Sequence, residues 1–208
     1  MASHRAQAYG ALNLEHYKRI VQTAERGKFD AMFLADNLAA NFDVNLSIGR
    51  GEKSAGFEPV TLFLSLSMIT SRIRFIANAS TTYEDPYQLA RKFASLDYLS
   101  NGRAGWNVVT FVDIVKALWD NWEDDALIRD KVGRHIYRPE QGPCAQSQRQ
   151  ILPGSGPLNI ARPPQGYPVI VHAGQSEPGK ELAARIAEVI FTAQQSLADA
   201  QAFYAGIL

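Results

Sequence analysis

Polar side chains gather at four points of this chain, each at the end of a short apolar run. Asp36 closes "FDAMFLAD", Asn78 and Ser80 close "RIRFIANAS" with Thr81 and Thr82 directly after it, Asn107 and Thr110 close the run from Ala104, and His172 to Ser176 come after "PVIV". Carboxylates, amides and hydroxyls of this kind hold and orient a polar ligand by hydrogen bonding. Other chemistries lack their residues. There is no G-x-S-x-G elbow, no Walker-type phosphate loop and no G-x-G-x-x-G turn, and "GSGPLN" is too disturbed by proline to serve as one. His4, His16, His135 and His172 lie far apart, without ligand-pair spacing, and read as solvated or structural, so no metal site is assigned. Glu123, Asp124 and Asp125 directly follow a helical stretch and read as its solvated end.

The elements that must position these groups alternate. Leu14, Tyr17, Ile20, Val21 and Ala24 form an apolar stripe at helical spacing, stopped near Gly27, and "FDAMFLAD" is then a short strand. Pro59 opens the helix "PVTLFLSLSMIT", "RIRFIANAS" is a strand, and Asp85 with Pro86 caps and starts "PYQLARKFASLDYLS", which buries Leu89, Phe93 and Leu96 and ends at Gly102. A strand from Ala104 to Thr110 runs straight into a helix with Val112, Val115, Leu118, Trp119 and Trp122 at helical spacing. "PVIVHAGQS", "KELAARIAE" and "VIFTA" continue the alternation, and Ser196 with Asp199 resembles a capping box for a terminal helix. About five β-α units with no antiparallel hairpin pattern between them imply a parallel sheet with crossover helices. Residues 123–167, rich in Pro, Gly and Gln, read as an irregular excursion within one domain spanning 1–208. In parallel α/β folds, ligands bind at the C-terminal ends of the strands, where all four polar groups lie. Strand ends are also where any chain leaves the core, which alone would account for a polar residue at a single position.

The bulk numbers agree with a globular protein. The 208 residues carry equal numbers of basic and acidic side chains, without a basic cluster for nucleic acid, and the longest apolar run is too short to span a bilayer. Cys144 is the sole cysteine, so no disulfide forms within the chain. A cytoplasmic location is the default expectation.

"ERGKFDAMFLAD", "STTYEDPYQLARKFASLDYLSNGRAGWNVVT", "GPLNIARPPQGYPVIVHAG" and "AEVIFTAQQSLADAQAFY" together resemble the bacterial-luciferase-like flavin-dependent monooxygenases. Within them the chain is most similar to the branch of nitrilotriacetate monooxygenase component A, dibenzothiophene-sulfone monooxygenase and the pristinamycin synthase subunits. The resemblance runs from about Leu14 to the end. It implies a TIM-type (β/α)8 barrel, here incomplete, that takes reduced FMN from a separate NAD(P)H:flavin reductase and uses O2 to oxygenate a small organic substrate. Members tend to associate, so a homo-oligomer is implied. The cofactor carries the hard chemistry, so no catalytic side chain is assigned.

Carried over by position, the resemblance places Asp36 near the flavin ring. Asn78 stands where relatives usually have a threonine contacting the flavin, and Asn107 would hydrogen-bond it, with Trp106 as packing. Gly174, Gln175 and Ser176 would present backbone N–H groups and a hydroxyl to the phosphate, where relatives usually show two serines. Relatives also carry a segment with phosphate-contacting His and Tyr between the W-N-V-V-T strand and the next helix. Here Thr110 is followed directly by Phe111. "QGPCAQSQRQILPGS" replaces a more regular stretch, and strands expected at both ends of a full barrel have no counterpart. A barrel opened in this way loses buried surface, while folds are held by only about 5–15 kcal/mol, so the chain alone is expected to be a poor or inactive monooxygenase. The alternative is a flavin-binding or inactive remnant that associates with an intact homologue.

Overall fold

The structure is a computed structural model that describes residues 10–36, 56–80, 82, 84–108, 112–124, 126–130, 135–137 and 158–207. Thr81, Thr110 and the whole stretch "QGPCAQSQRQILPGS", with Cys144, lie outside the described residues.

Helix starts follow local chemistry. The Asn13 side chain accepts from the His16 N–H to begin α1 (Leu14–Arg26), and Glu58 accepts from Val60 and Thr61 ahead of α2 (Pro59–Ser67). Asp85 accepts from Tyr87 and Gln88 ahead of α3 (Pro86–Ser100). α4 (Val112–Trp119) buries Val112, Val115, Leu118 and Trp119. Ser176 starts α5 (Glu177–Ile186), and Ser196 starts α6 (Leu197–Ala205) by accepting from the Asp199 N–H at 3.1 Å. The end of α3 differs from expectation: Asn101 already adopts the left-handed conformation at φ 59°, one residue before Gly102 at φ 74°. Asn tolerates that region better than most side chains, so the two residues share the reversal.

The strands are β1 (Ala31–Leu34), β2 (Arg74–Ala79), β3 (Ala104–Val108), β4 (Leu127–Asp130), β5 (His135–Tyr137), β6 (Val169–His172) and β7 (Val189–Ile190). Five of them form one parallel sheet in the order β1-β2-β3-β6-β7, the arrangement the alternation predicts. β4 and β5 pair antiparallel in a separate two-stranded sheet, inside the stretch 123–167 that the sequence reads as an irregular excursion. Their strands are only four and three residues long, inside a segment whose Pro and Gly content masks any alternation.

Register separates the two faces of the sheet. Phe75, Ala77 and Ala79 of β2, Trp106 and Val108 of β3 and Ile170 of β6 join the buried core with Phe63, Leu66, Leu89, Phe93, Leu96 and Trp119 of the helices. Trp106 packs against Phe93 and edge-on against Trp119, and its indole N–H donates to the Ala79 carbonyl at 3.1 Å. Trp119 and Trp122 likewise donate, to the carbonyls of Ala90 and Leu158, so these large rings are buried without stranding a donor. The other face carries Phe33, Ile76, Gly105 and Val169 in one register row, followed by Asn78, Asn107, Val171 and Val189. That face is concave. Phe33 on β1 stacks on Phe191, just past β7, with ring centroids 5.0 Å apart, so the two outermost strands curl toward each other. α1 is less covered than its stripe suggests: Val21 is buried, while Leu14 and Ile20 are exposed.

Three side chains pin the N-terminal ends of the strands. Arg103 is buried and donates to the carbonyls of Ser67, Thr70, Ile73 and Ser100. Asp97 accepts from the N–H groups of Ala104 and Gln165 and from the Gln165 amide; burial pushes its carboxyl pKa up against the downward pull of those donors. Glu25 accepts from the consecutive N–H groups of Ser71, Arg72 and Ile73 at 2.6–3.1 Å. Burial raises its pKa, but the three backbone donors and the Arg103 charge outweigh that, and the net shift is downward from the ordinary 4.5. A carboxylate whose pKa falls on folding stabilises the fold above the ordinary carboxyl range and loses that contribution as pH drops through the shifted value. Glu25→Gln is therefore expected to cost about 1 kcal/mol at neutral pH, discounted for its partial exposure. Urea melts should show the gap between variant and wild type closing below the carboxyl range; a gap independent of pH would contradict this account.

Candidate functional site

Because all five strands of the main sheet are parallel, their C-terminal ends share one edge, and each sequence-predicted site residue lies on it or just beyond it. Asn78 and Asn107 are direct register partners on β2 and β3. Their side chains meet, with the Asn107 Nδ2 donating to Asn78 Oδ1 at 2.7 Å. Asn107 is buried, Asn78 is half-buried, and Asn107 Oδ1 has no hydrogen-bond partner. Turning the amide over would strand a donor in place of the acceptor, so either assignment leaves Asn107 with unused capacity. An unpaired buried polar atom costs about 1–3 kcal/mol, and such atoms in native proteins call for a reason. A ligand on the concave face would supply one.

Asp36 lies two residues past β1, half-buried and engaged in an interaction of its own. Across β3, the chain leaves β6 through Gly174, Gln175 and Ser176. Ser176 is the N-cap of α5: its Oγ accepts from the Gly179 N–H at 3.2 Å. The hydroxyl proton remains available for donation to an anion. Pro178 has no N–H and that of Gly179 is committed to the cap, so the backbone donors suited to an anion are those ahead of Pro178. Asn78, Asn107 and the 174–176 turn thus occupy the ends of three neighbouring strands, β2, β3 and β6, with Asp36 following the next strand out. Among the described residues no group of His, Cys, Asp and Glu is placed to hold a metal ion, and no helix is long and apolar enough to cross a membrane.

The family model for luciferase-like monooxygenases matches residues 1–207. The chain belongs to that family. It is 44% identical to N-acetyl-S-(2-succino)cysteine monooxygenase of Bacillus subtilis (strain 168), with 97% of this chain covering 51% of that protein. It is 43% identical to nitrilotriacetate monooxygenase component A of Aminobacter aminovorans, with 97% of this chain covering 52% of the relative. Among solved structures, a riboflavin lyase crystallised with modified FMN and riboflavin superposes with a TM-score of 0.88 at 28% identity, over 99% of this chain and 53% of the other. The chain therefore spans about half the length of the relatives it matches. The two sequence alignments run to 229 and 237 positions, more than the 208 residues available, so each relative carries internal residues without a counterpart here. This agrees with the short link expected after the W-N-V-V-T run: β3 ends at Val108 and α4 begins at Val112, leaving residues 109–111 between them.

Several groups around this candidate site escaped sequence reasoning. Phe33 and Phe191 form an apolar wall across the concave face, and Gly105 leaves room there, since a Cβ on it would press on Ile76 Cγ1 at 3.0 Å. Their contacts depend on which strands neighbour each other, which periodicity does not reveal. Ser176 as an N-cap was also missed: the helix expected from Lys180 starts at Glu177, and the signal was Glu-Pro directly after a serine, a helix-start pattern. If the asparagine pair is retained for a ligand rather than for the fold, the double substitution Asn78→Val/Asn107→Val should leave stability unchanged or raise it by about 1 kcal/mol. A urea melt measures this, and a loss greater than about 1 kcal/mol would make the pair structural.

Proposed function

We propose that this chain provides the flavin site of a two-component monooxygenase, holding reduced FMN on the concave face at the C-terminal edge of the sheet. The observation that carries this reading is the Asn78–Asn107 pair, whose buried, unused amide capacity faces that edge in a luciferase-like chain. An isoalloxazine presents carbonyl oxygens and an N–H along one side, and an amide both donates and accepts, so the groups match in kind. Asp36 is assigned to the ring side of the flavin. Gly174, Gln175 and Ser176 are assigned to its phosphate through backbone donors and the serine hydroxyl. Phe33, Ile76, Val171, Val189 and Phe191 supply apolar surface that keeps water from the reacting centre. When bound, reduced FMN supplies the electrons with which one atom of O2 enters a small organic substrate and the other leaves as water. Two relatives support the assignment: one is named as component A of its monooxygenase, and a structural neighbour holds modified FMN. A separate NAD(P)H:flavin reductase is accordingly the assigned source of reduced flavin.

A second reading has an observation of its own. Among the described residues, β1 and β7 are paired on one side only, and Val189 and Phe191 are 45% and 46% exposed. A chain with open edges and an uncovered wall binds flavin without completing turnover, or works only beside an intact homologue. Anaerobic titration of the purified 208-residue chain with reduced FMN, followed by flavin absorbance, tests both readings. Saturable binding weakened about tenfold by Asn107→Ala is the expected result, in line with the loss of one well-made hydrogen bond. O2 uptake that depends on an added organic substrate then separates the monooxygenase from the binding remnant. Absence of saturable binding would overturn the first reading and leave only a chain that works beside an intact homologue.

A further inference from the structure

His172 ends β6 and is only 7% exposed. Its Nδ1 lies 3.0 Å from the Val108 carbonyl oxygen, and a carbonyl can only accept, so Nδ1 carries the ring proton. Nε2, the other ring nitrogen, is buried without a hydrogen-bond partner. It faces backbone. A Cβ on Gly174 would overlap Nε2 and approach the Gly179 Cα at 3.0 Å, and a Cβ on Gly179 would sit 3.0 Å from Ser176 Oγ. Gly174 is thus pinched between the imidazole and the first turn of α5, in a space only a glycine fits. One side of the ring is tied to the end of β3, which carries Asn107, and the other supports the turn that carries Gln175 and Ser176.

We propose that His172 is a positioning residue for the anion grip, setting the 174–176 turn relative to β3 so that its donors meet a flavin phosphate. The proposal rests on the FMN reading above. Loss of the imidazole removes both the tether to Val108 and the support under Gly174, and the turn then shifts by more than the few tenths of an ångström that well-aligned donors tolerate. The ring-side contacts at Asn78 and Asn107 come from other strands and stay in place. The consequence is selective: affinity for FMN falls, while affinity for riboflavin, which has no phosphate, holds.

The test is the affinity of the purified chain for FMN and for riboflavin, measured by quenching of flavin fluorescence in the wild type, His172→Ala and His172→Phe, with a thermal melt of each. The wild type should prefer FMN, and His172→Ala should cut that preference about tenfold while moving riboflavin affinity by no more than about twofold. His172→Phe keeps the ring volume without the donor and should lose at least about threefold of the preference; it decides the matter if the alanine variant does not melt cooperatively. An unchanged preference in the folded variants, or equal weakening of both flavins, overturns the proposal. A wild type that binds both flavins equally would overturn it while leaving the flavin reading in place, and one that binds neither overturns both.

Discussion

β3 is buried along its whole length on both faces, and the rest of the molecule is arranged to make that possible. A central parallel strand can be solvated on neither side, so each of its side chains must find apolar packing or a partner inside the protein. Toward the helices the solution is Trp106 with its hydrogen-bonded indole, wedged between Phe93 and Trp119. At the start of the strand Asp97 accepts from the Ala104 N–H, and Arg103 satisfies the Ser67, Thr70 and Ile73 carbonyls of the neighbouring connection from α2 to β2. At the other end the concave face carries Asn107, where the solution is deliberately incomplete.

This contrast locates function. The polar groups at the N-terminal ends of the strands, Glu25, Asp97 and Arg103, are engaged almost entirely with backbone and with one another's neighbours, as befits parts that hold the frame together. At the C-terminal ends, Asn107 Oδ1 and His172 Nε2 are buried and unused. Fold stability would favour an apolar side chain at position 107, so the unused capacity of Asn107 on the concave face marks where that edge would meet a ligand, whereas His172 Nε2 faces the backbone of Gly174.

Much of the frame was legible in the sequence because it rests on local rules. Asp85 before Pro86, Pro59 at the first turn of its helix, and Ser196 ahead of Asp199 each act within a few residues, and the structure has all three. The alternation of short apolar runs with helical stripes was enough to indicate a parallel sheet, and Asn78 and Asn107 stood out as amides at strand ends. Their mutual hydrogen bond was not legible, since it depends on the register between two strands. The same holds for Phe33 on Phe191 and for His172 beneath Gly174, which join segments distant in sequence or depend on how a turn folds back. The β4–β5 pair was hidden for a different reason: strands so short carry too few residues for a period to show.

The sheet passes from β3 directly to β6, and among the described residues the chain between them, including the β4–β5 pair, makes no strand in the main ladder. α4 in that connection packs into the core, but the sheet itself fixes only the two ends of the connection. The cost of closing a flexible connection grows only with the logarithm of its length, about 0.6 kcal/mol for each doubling. Length can therefore be gained or lost there during evolution without disturbing the register of Asn107 against Val171, leaving the central strand pairing the same while the rim above it is rebuilt.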